Sequence, residues 1–487
     1  MHRARTLGVA AVALVICAVH AWQGQWVGDF WEHAAVVREL ALRPWHPRHP
    51  LLALDGPHAF ESPYALALGQ VARVSGAAPV SVLAVAGVAN VALLLWGVWR
   101  LTTRLLPKGE TVAPYALLLV LFAWGHQAWL WSGFYQLNAL GYVAPYPSTF
   151  AGAVALLALS LLPDALGARC WARLAGLGLL TALTLLTHPT TAVALLVAMA
   201  AIVAGRARWG ERRQAVLVGA AVLAGALFAL VWPYFSLIHL VTHQPAEFNE
   251  ASRPLYDHPL MRAWPVLALA PLTLWRLRQD RRDAVALGAL ALAAVYVLGG
   301  LTPAHGLGRL IAWAALFVQL GAAAALADLE ERLSGRARFA VPALAVTCAL
   351  WLTNGQPDAV RRLRHPSVRR WPALADVLAP VGADDAVVAS EATSWMVPAF
   401  AGKVVASIHP LYWVPDHDER RAVLATFFRV ETSDDERRGL LARFDARWLV
   451  LDDTRLAAGE RIRLLALGRE VRHVEPFTLV AVGPSRP

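Results

Sequence analysis

Gly28-Asp29-Phe30-Trp31-Glu32-His33 follows directly on an apolar run at about 6–24, itself preceded by Arg3 and Arg5. A run of that length crosses a hydrocarbon core of about 30 Å as a helix. The leading arginines hold its start in the cytoplasm by the positive-inside bias, so Asp29 is expected on the opposite, outer face. A retained anchor is expected over a cleaved signal peptide, because Ala21-Trp22-Gln23-Gly24-Gln25-Trp26 lacks a small-x-small cleavage site.

The rest of the chain extends this reading. Its 487 residues are 57% hydrophobic and 16% charged, with a mean hydropathy of +0.48, too apolar for an ordinary soluble protein. Apolar runs at 6–24, 79–99, 112–132, 145–163, 172–187, 189–205, 214–238, 260–275, 284–301, 308–327 and 339–354 predict an α-helical polytopic membrane protein with about eleven transmembrane helices. Arg100, Arg104 and Lys108, then Arg169 and Arg173, Arg206 to Arg213, Arg276 to Arg282, and Arg332 to Arg338 all fall on one side. That side is read as the cytoplasm, with the N-terminus on it.

The stretch 172–205 decides the count. A single helix there would put one of two arginine clusters outside, so a hairpin is expected, broken at His188 and with Pro189 opening its second helix. Eleven spans put the C-terminus outside.

The formal charge of +10 resides largely in the cytoplasmic loops, where arginine sets topology and meets anionic lipid, so nucleic acid is not implied. Lys108 and Lys403 are the only lysines, a sign of genomic bias. Cys17, Cys170 and Cys348 fall in predicted helices or a cytoplasmic loop, which supports neither a disulfide framework nor a cysteine metal site.

Two outer segments are long, 25–78 and 356–487, and long loops are where function concentrates. The chain is accordingly divided into a transmembrane domain, 1–355, whose outer loop 25–78 carries surface helices, and an extracytoplasmic α/β domain, 356–487. In the loop, a helix at 29–42 has Phe30, Ala34, Val37 and Ala41 as one apolar stripe, with Glu32 and Glu39 facing elsewhere. It reads as a helix lying on the membrane surface. A proline- and histidine-rich turn, Pro44 to Pro50, and a second amphipathic stretch at 63–74 follow, and Trp22, Trp26, Trp31 and Trp45 suit a headgroup belt.

In the tail, strands at 386–390, 403–407, 447–451 and 477–482 alternate with helices at 394–401, 417–429 and 433–443, the last capped by Thr432-Ser433. No P-loop, dinucleotide fingerprint or internal repeat is present.

Taken together, the first helix, the outer Gly28-Asp29-Phe30-Trp31, the His188-Pro189 break, Gly308-Arg309-Leu310 at the outer start of a late span and the α/β tail resemble bacterial GT-C fold glycosyltransferases. In the tail, Val387-Val388-Ala389-Ser390 and the stretch Thr393 to Lys403 look like the outer domain of members of that superfamily. The resemblance implies an enzyme of a bacterial inner membrane. It would transfer a hexosyl or pentosyl group from a polyprenyl-phosphate donor to a glycan, lipid or protein acceptor on the outer face, by an inverting single displacement. Such chemistry needs a carboxylate to take the acceptor proton and a cation for the departing phosphate.

Asp29 matches the acidic residue that the superfamily carries in its first outer loop, and Glu32 follows it as the second catalytic candidate. The same pair is also spaced as a capping box for the helix 29–42. Arg309 offers phosphate a fixed fork of donors, although an arginine at a helix end also snorkels to headgroups. His188, beside Thr187, Thr190 and Thr191, is a second donor-binding candidate or a helix-to-helix turn. Tyr146, within an outer segment rich in tyrosine and asparagine, is a third.

No cofactor is required by this pattern. Some members of the superfamily use a metal, which admits a divalent cation, with His33 as the candidate ligand; His46, His49 and His58 match no closed site. The polar residues of 242–259 read as a solvated outer loop.

Other classes carry different expectations. A polysaccharide polymerase or ligase using a lipid-diphosphate glycan would share the outer-face site. A transporter would carry ionisable groups near the bilayer midplane, which the predicted spans nearly lack. A non-catalytic scaffold would use the tail to recruit a partner.

Overall fold

A computed structural model describes residues 2–26, 28–125, 127–167, 170–206, 212–243, 246–352, 358–364, 366, 369–409 and 412–482. Arg169, Arg208 and the end of the last predicted span at 353–354 lie outside these residues. Two compact units partition the chain. The first comprises 1–25, 84–238 and 246–366; the second comprises 26–83, 239–245 and 367–487.

The first unit is helical. Helix α1 (His2–Gln23) and the helices Pro79–Leu105, Pro147–Gly167, Pro189–Arg206, Arg212–Leu230, Ala284–Leu301 and His305–Arg332 make seven that are long and apolar enough to cross a membrane. Gly109–Phe122 and Trp171–Thr187 are shorter apolar helices, Trp264–Gln279 has 16 residues, and Ala340–Leu352 runs to the edge of the described residues. Helices thus stand at all eleven predicted positions, and three of them, of 14, 17 and 16 residues, are about 21–26 Å long at 1.5 Å per residue.

The run 112–132 is a correction, since its helix stops at Phe122. There Gly125 packs so closely on the backbone of Arg262 that a Cβ would lie 2.7 Å from its carbonyl oxygen, and Trp124 turns its Nε1 back onto the Val120 carbonyl at 3.0 Å.

The hairpin at 172–205 is two helices. His188 is extended (φ −156°, ψ 92°) between them, and Pro189, whose φ is already helical, opens the second. Trp171–Thr187 crosses Arg212–Leu230 at Gly178 and Gly225, where a Cβ on Gly225 would lie 2.1 Å from the Gly178 carbonyl oxygen. Small residues give this approach its closeness.

The second unit holds a five-stranded sheet, β1 (Ala386–Ala389), β2 (Lys403–Val404), β3 (Ala446–Asp452), β4 (Arg469–Val474) and β5 (Phe477–Ala481), in the order β2-β1-β3-β5-β4. β1 runs parallel to β2 and β3, while β5 is antiparallel to β3 and β4. Alternation along β1 sends Val387 and Ala389 into one core with Leu374, Leu51 and Phe477, and Ala386 and Val388 into another with Leu424, Phe427 and Leu464.

Three tail expectations need correction. β4 was not anticipated because its Arg-Glu-Val-Arg-His-Val sequence is an exposed edge with no apolar alternation. The helix expected at 394–401 is a turn of helix at Glu391–Ser394 followed by a 3-10 turn at Val397–Ala399, because Pro398 cannot donate within a longer helix. β2 is two residues long. The helix Asp434–Arg443, by contrast, has the anticipated cap, Ser433 Oγ accepting from the Glu436 amide at 3.2 Å.

The largest correction concerns the helix after α1. α2 (Phe30–Leu42) does not lie on a surface: ten of its residues, Glu32, His33 and Glu39 among them, are buried within the second unit. α3 (Pro63–Ser75), capped by Ser62, packs against it at Gly69, where a Cβ would stand 2.8 Å from Leu40 Cβ. On another side the sheet reaches it, since Ala35 shares the core of Val387 and Val404. The segment between α2 and α3 also joins the sheet edge, with Leu52 bridged to Val404 and the Val404 amide on the Leu51 carbonyl at 2.8 Å. Trp26 and Trp31 are buried, Trp26 stacked on Phe30 and Trp31 meeting it edge-on; Trp22 and Trp45 remain exposed.

Candidate active site

Gly28, at φ 64°, turns the chain into α2 and leaves Asp29 at the N-cap position with helical dihedrals (φ −60°, ψ −8°) and no side-chain capping hydrogen bond. Good caps hold an extended backbone so that the side chain reaches back to the N2 or N3 amide. The capping box expected of Asp29 and Glu32 is therefore absent, and both carboxylates are directed elsewhere.

Their common partner is His409, from the loop after β2. Its Nδ1 lies 2.8 Å from Glu32 Oε1 and its Nε2 lies 3.7 Å from Asp29 Oδ1. The imidazole is set by two further contacts: His417 donates from Nε2 to the His409 carbonyl at 2.8 Å, and the Trp395 ring meets it edge-on at 5.1 Å. Glu32 is 2% exposed and Asp29 39%, so one carboxylate is sequestered while the other faces solvent.

Burial raises the Glu32 carboxyl above the ordinary range, His409 opposing and Asp29 reinforcing. Burial also pulls the His409 imidazole down, but the hydrogen bond and charge of Glu32, with Asp29 behind them, outweigh it and push it up to about 9. At neutral pH the pair holds a proton between Glu32 and His409, beside the open carboxylate of Asp29.

His33 packs its ring 4.6 Å from Phe60, and burial pushes its imidazole down to about 4, so it is neutral. Glu32 Oε1 is already taken by His409, and among the described residues no group of three or more His, Cys, Asp or Glu side chains is arranged to hold a metal ion.

Beneath it, α2 is fastened by a buried ion pair. Lys403 Nζ donates to Glu39 Oε2 at 2.7 Å and to the His49 and Pro50 carbonyls at 2.9 and 3.2 Å.

Arg309 and His188 meet in the first unit. Arg309 Nη1 donates to Ser132 Oγ at 2.7 Å and lies 3.3 Å from His188 Nε2, with the Trp131 ring 5.8 Å from the guanidinium carbon. Because a guanidinium only donates, His188 Nε2 accepts from Arg309, and the proton of the neutral ring sits on Nδ1, which donates to Thr191 Oγ1 at 2.8 Å. His188 and Ser132 thus hold the Arg309 guanidinium in place, and a fixed guanidinium fork is a group that an anionic oxygen satisfies. Tyr146 is buried at the turn into Pro147–Gly167, its amide on the Val143 carbonyl at 2.9 Å.

Sequence reasoning missed His409. The one available signal was a His-Pro step directly beyond a predicted strand, and nothing in the sequence links it to α2.

No family model matches the chain, and no curated protein matches it in sequence. Solved structures do. ArnT from Cupriavidus metallidurans in the apo state aligns with a TM-score of 0.58 and 14% identity over 99% of both chains. The Archaeoglobus fulgidus oligosaccharyltransferase in the apo form gives 0.57 and 14%, over 92% of this chain and 69% of that one. The arabinofuranosyltransferase AftD from Mycobacteria gives 0.55 and 16%, over 99% of this chain, which spans only 40% of AftD. The chain has the GT-C fold of membrane glycosyltransferases.

Proposed function

We propose that this protein is a membrane glycosyltransferase that moves a sugar from a polyprenyl-phosphate donor to an acceptor hydroxyl by an inverting single displacement on the outer face of a bacterial plasma membrane. The acceptor oxygen bonds to the anomeric carbon as the bond from that carbon to the phosphate oxygen breaks; the electron pair leaves with the phosphate and the acceptor proton passes to Asp29. Asp29 suits the part of general base, since its side chain is open, is free of capping duty and is flanked by a buried proton-holding pair. Glu32 and His409 act as positioning residues, fixing the charge beside Asp29.

Arg309, held by Ser132 and His188, supplies a cationic donor suited to the departing phosphate. Tyr146 is assigned to the donor side. No step is routed through a metal.

The observation that carries the reading is the direction of Asp29: an acidic residue at a helix start that does not cap the helix and instead faces the histidine held by Glu32. Asp29→Asn, assayed in membranes with polyprenyl-phosphate sugars, should lose transfer by about 10²–10⁴-fold at normal expression and unchanged folding. Transfer at the wild-type rate would remove Asp29 from the mechanism.

The likeness to an oligosaccharyltransferase favours a second reading, in which a preassembled glycan on a lipid diphosphate is transferred. A donor series of mono- and diphosphate lipids separates the two.

A further inference from the structure

A polar cleft of about 360 Å³ opens where β1, β2 and β3 begin, between the outer segment 48–55 and the tail. A second cavity of about 240 Å³ shares Ala53, Ala386, Phe444 and Asp445 with it. Their sizes, joined along one groove, fall in the ~300–1,000 Å³ range of small-molecule sites.

The wall chemistry is mixed in a specific way. Arg48 lies 3.2 Å from Asp384 and 3.5 Å from Asp55, while Arg447 lies 3.4 Å from Asp385 and 3.7 Å from Asp445. Guanidinium forks and carboxylates therefore alternate around the opening, while the ammonium of Lys403 is spent on Glu39. A wall with one sign of charge would select an ion. A balanced wall of paired donors and acceptors suits vicinal hydroxyls, each of which donates once and accepts.

Part of that wall is fixed in advance. Asp385 Oδ2 accepts from Trp448 Nε1 at 2.9 Å and from the Gly382 amide at 2.8 Å, which orients its Oδ1 toward Arg447. The Phe444 ring, half-buried where the two cavities join and with the Arg420 and Arg443 guanidinium groups 5.2 and 5.3 Å from its centroid, adds an aromatic surface to the wall. An aromatic ring beside paired guanidinium and carboxylate groups is the chemistry that recognises a pyranose or furanose ring.

We propose that this cleft binds neutral glycan, as a subsite for the growing or acceptor chain at a distance from the reacting hydroxyl; the assignment of an acceptor rests on the transferase reading above. Arg43, one residue past the end of α2, pairs with Asp384 on the cleft wall, whereas Asp29 stands at the other end of the helix. At 1.5 Å per residue the two are roughly 20 Å apart, room for several sugar units.

The test is saturation-transfer NMR on the full-length protein in detergent with neutral oligosaccharides of about four to six hexose or pentose units, and with inorganic phosphate as the anionic probe. At least one oligosaccharide should bind, at least tenfold more weakly to Arg48→Gln/Asp445→Asn and to Phe444→Leu, and equally to Asp29→Asn. The double variant changes side chains that are half or more exposed, so loss of folding does not confound it. Failure of every oligosaccharide to bind, binding unaffected by both cleft variants, or binding of phosphate in place of sugar would each overturn the subsite. Because the readout is binding, a protein that binds sugar here but transfers none would refute the transferase reading alone.

Discussion

Glu32 Oε1 lies 2.8 Å from His409 Nδ1, so the residue three positions after Asp29 is bound to the tail domain and not to the start of its own helix. This contact couples the outer segment to the loop beyond β2 and converts an apparent helix cap into a proton-holding pair beside an open carboxylate. His409→Ala should leave Glu32 buried without its donor, at a cost of about 1–3 kcal/mol, seen as a lower denaturation midpoint of the detergent-solubilised protein. Glu32→Gln and His409→Gln should each slow transfer, and the double variant should be no slower than the worse single. Additive losses would show that the two act independently.

The same pair sets a pH window. His409 is raised from an ordinary 6.5 to about 9, so the folded protein binds that proton more tightly than the unfolded chain. The stability it contributes is complete below about pH 6.5 and is lost as pH rises toward 9. Thermal denaturation between pH 6.5 and 9 should show this decline, and His409→Gln should flatten it. An identical slope in the variant would exclude His409 as its source.

Acid should act through other residues. Burial pushes His33 down to about 4, His58 down to about 3 and His49 well below its ordinary value. His49 and His58 use Nδ1 as an acceptor for the amides of Leu51, Leu52 and Phe60, bonds that protonation at Nδ1 breaks. The folded state therefore binds fewer protons than the unfolded chain below about 6.5, and stability falls with pH. Glu61, raised by burial to about 8, and Glu32, also raised by burial, work the other way above about 4.5, two groups against three. The denaturation midpoint should drop between pH 6.5 and 5, less steeply in His33→Gln.

The helical, multi-pass character was legible in the sequence because apolar length is a local signal, and a helix stands at each predicted apolar run. Helix 29–42 was legible as a helix and misread as to its surroundings. Phe30, Ala34, Val37 and Ala41 form a stripe, but Glu32, His33 and Glu39 on the other faces are buried too, which requires partners that no local pattern announces. Those partners, His409 and Lys403, lie 377 and 364 residues away. Arg309 and His188 were picked out separately, each for its place at a span end; their 3.3 Å approach depends on helix packing.

Lys403 gives the sharpest stability test of the α2 attachment. Its ammonium is 2% exposed and binds Glu39 and two carbonyls from the turn at 49–50. Lys403→Met removes the charge and keeps most of the volume, leaving Glu39 with Arg43 and the Arg48 amide. Breaking a buried pair from one side costs about 3–5 kcal/mol, and the remaining contacts put the expected loss at the lower end. Lys403→Met/Glu39→Gln should recover part of it in chemical denaturation. No recovery would mean that the carbonyl contacts, and not the ion pair, hold α2 to the sheet.

Arg309 and Asp29 are assigned to different parts of the reaction, and kinetics separates them. A donor-phosphate contact made already in the bound state should show in KM, whereas a base that takes the acceptor proton only as the new bond forms should show in kcat. Arg309→Ala should raise the KM for the lipid-phosphate donor about tenfold or more, as loss of a charge-assisted hydrogen bond of about 1.5–3 kcal/mol requires. Arg309→Lys should recover only part of this, because an ammonium cannot donate to Ser132 and to phosphate in the geometry of a guanidinium fork. Asp29→Asn should lower kcat with the donor KM unchanged. A fall in kcat alone for Arg309→Ala would move Arg309 from binding the donor to stabilising the transition state.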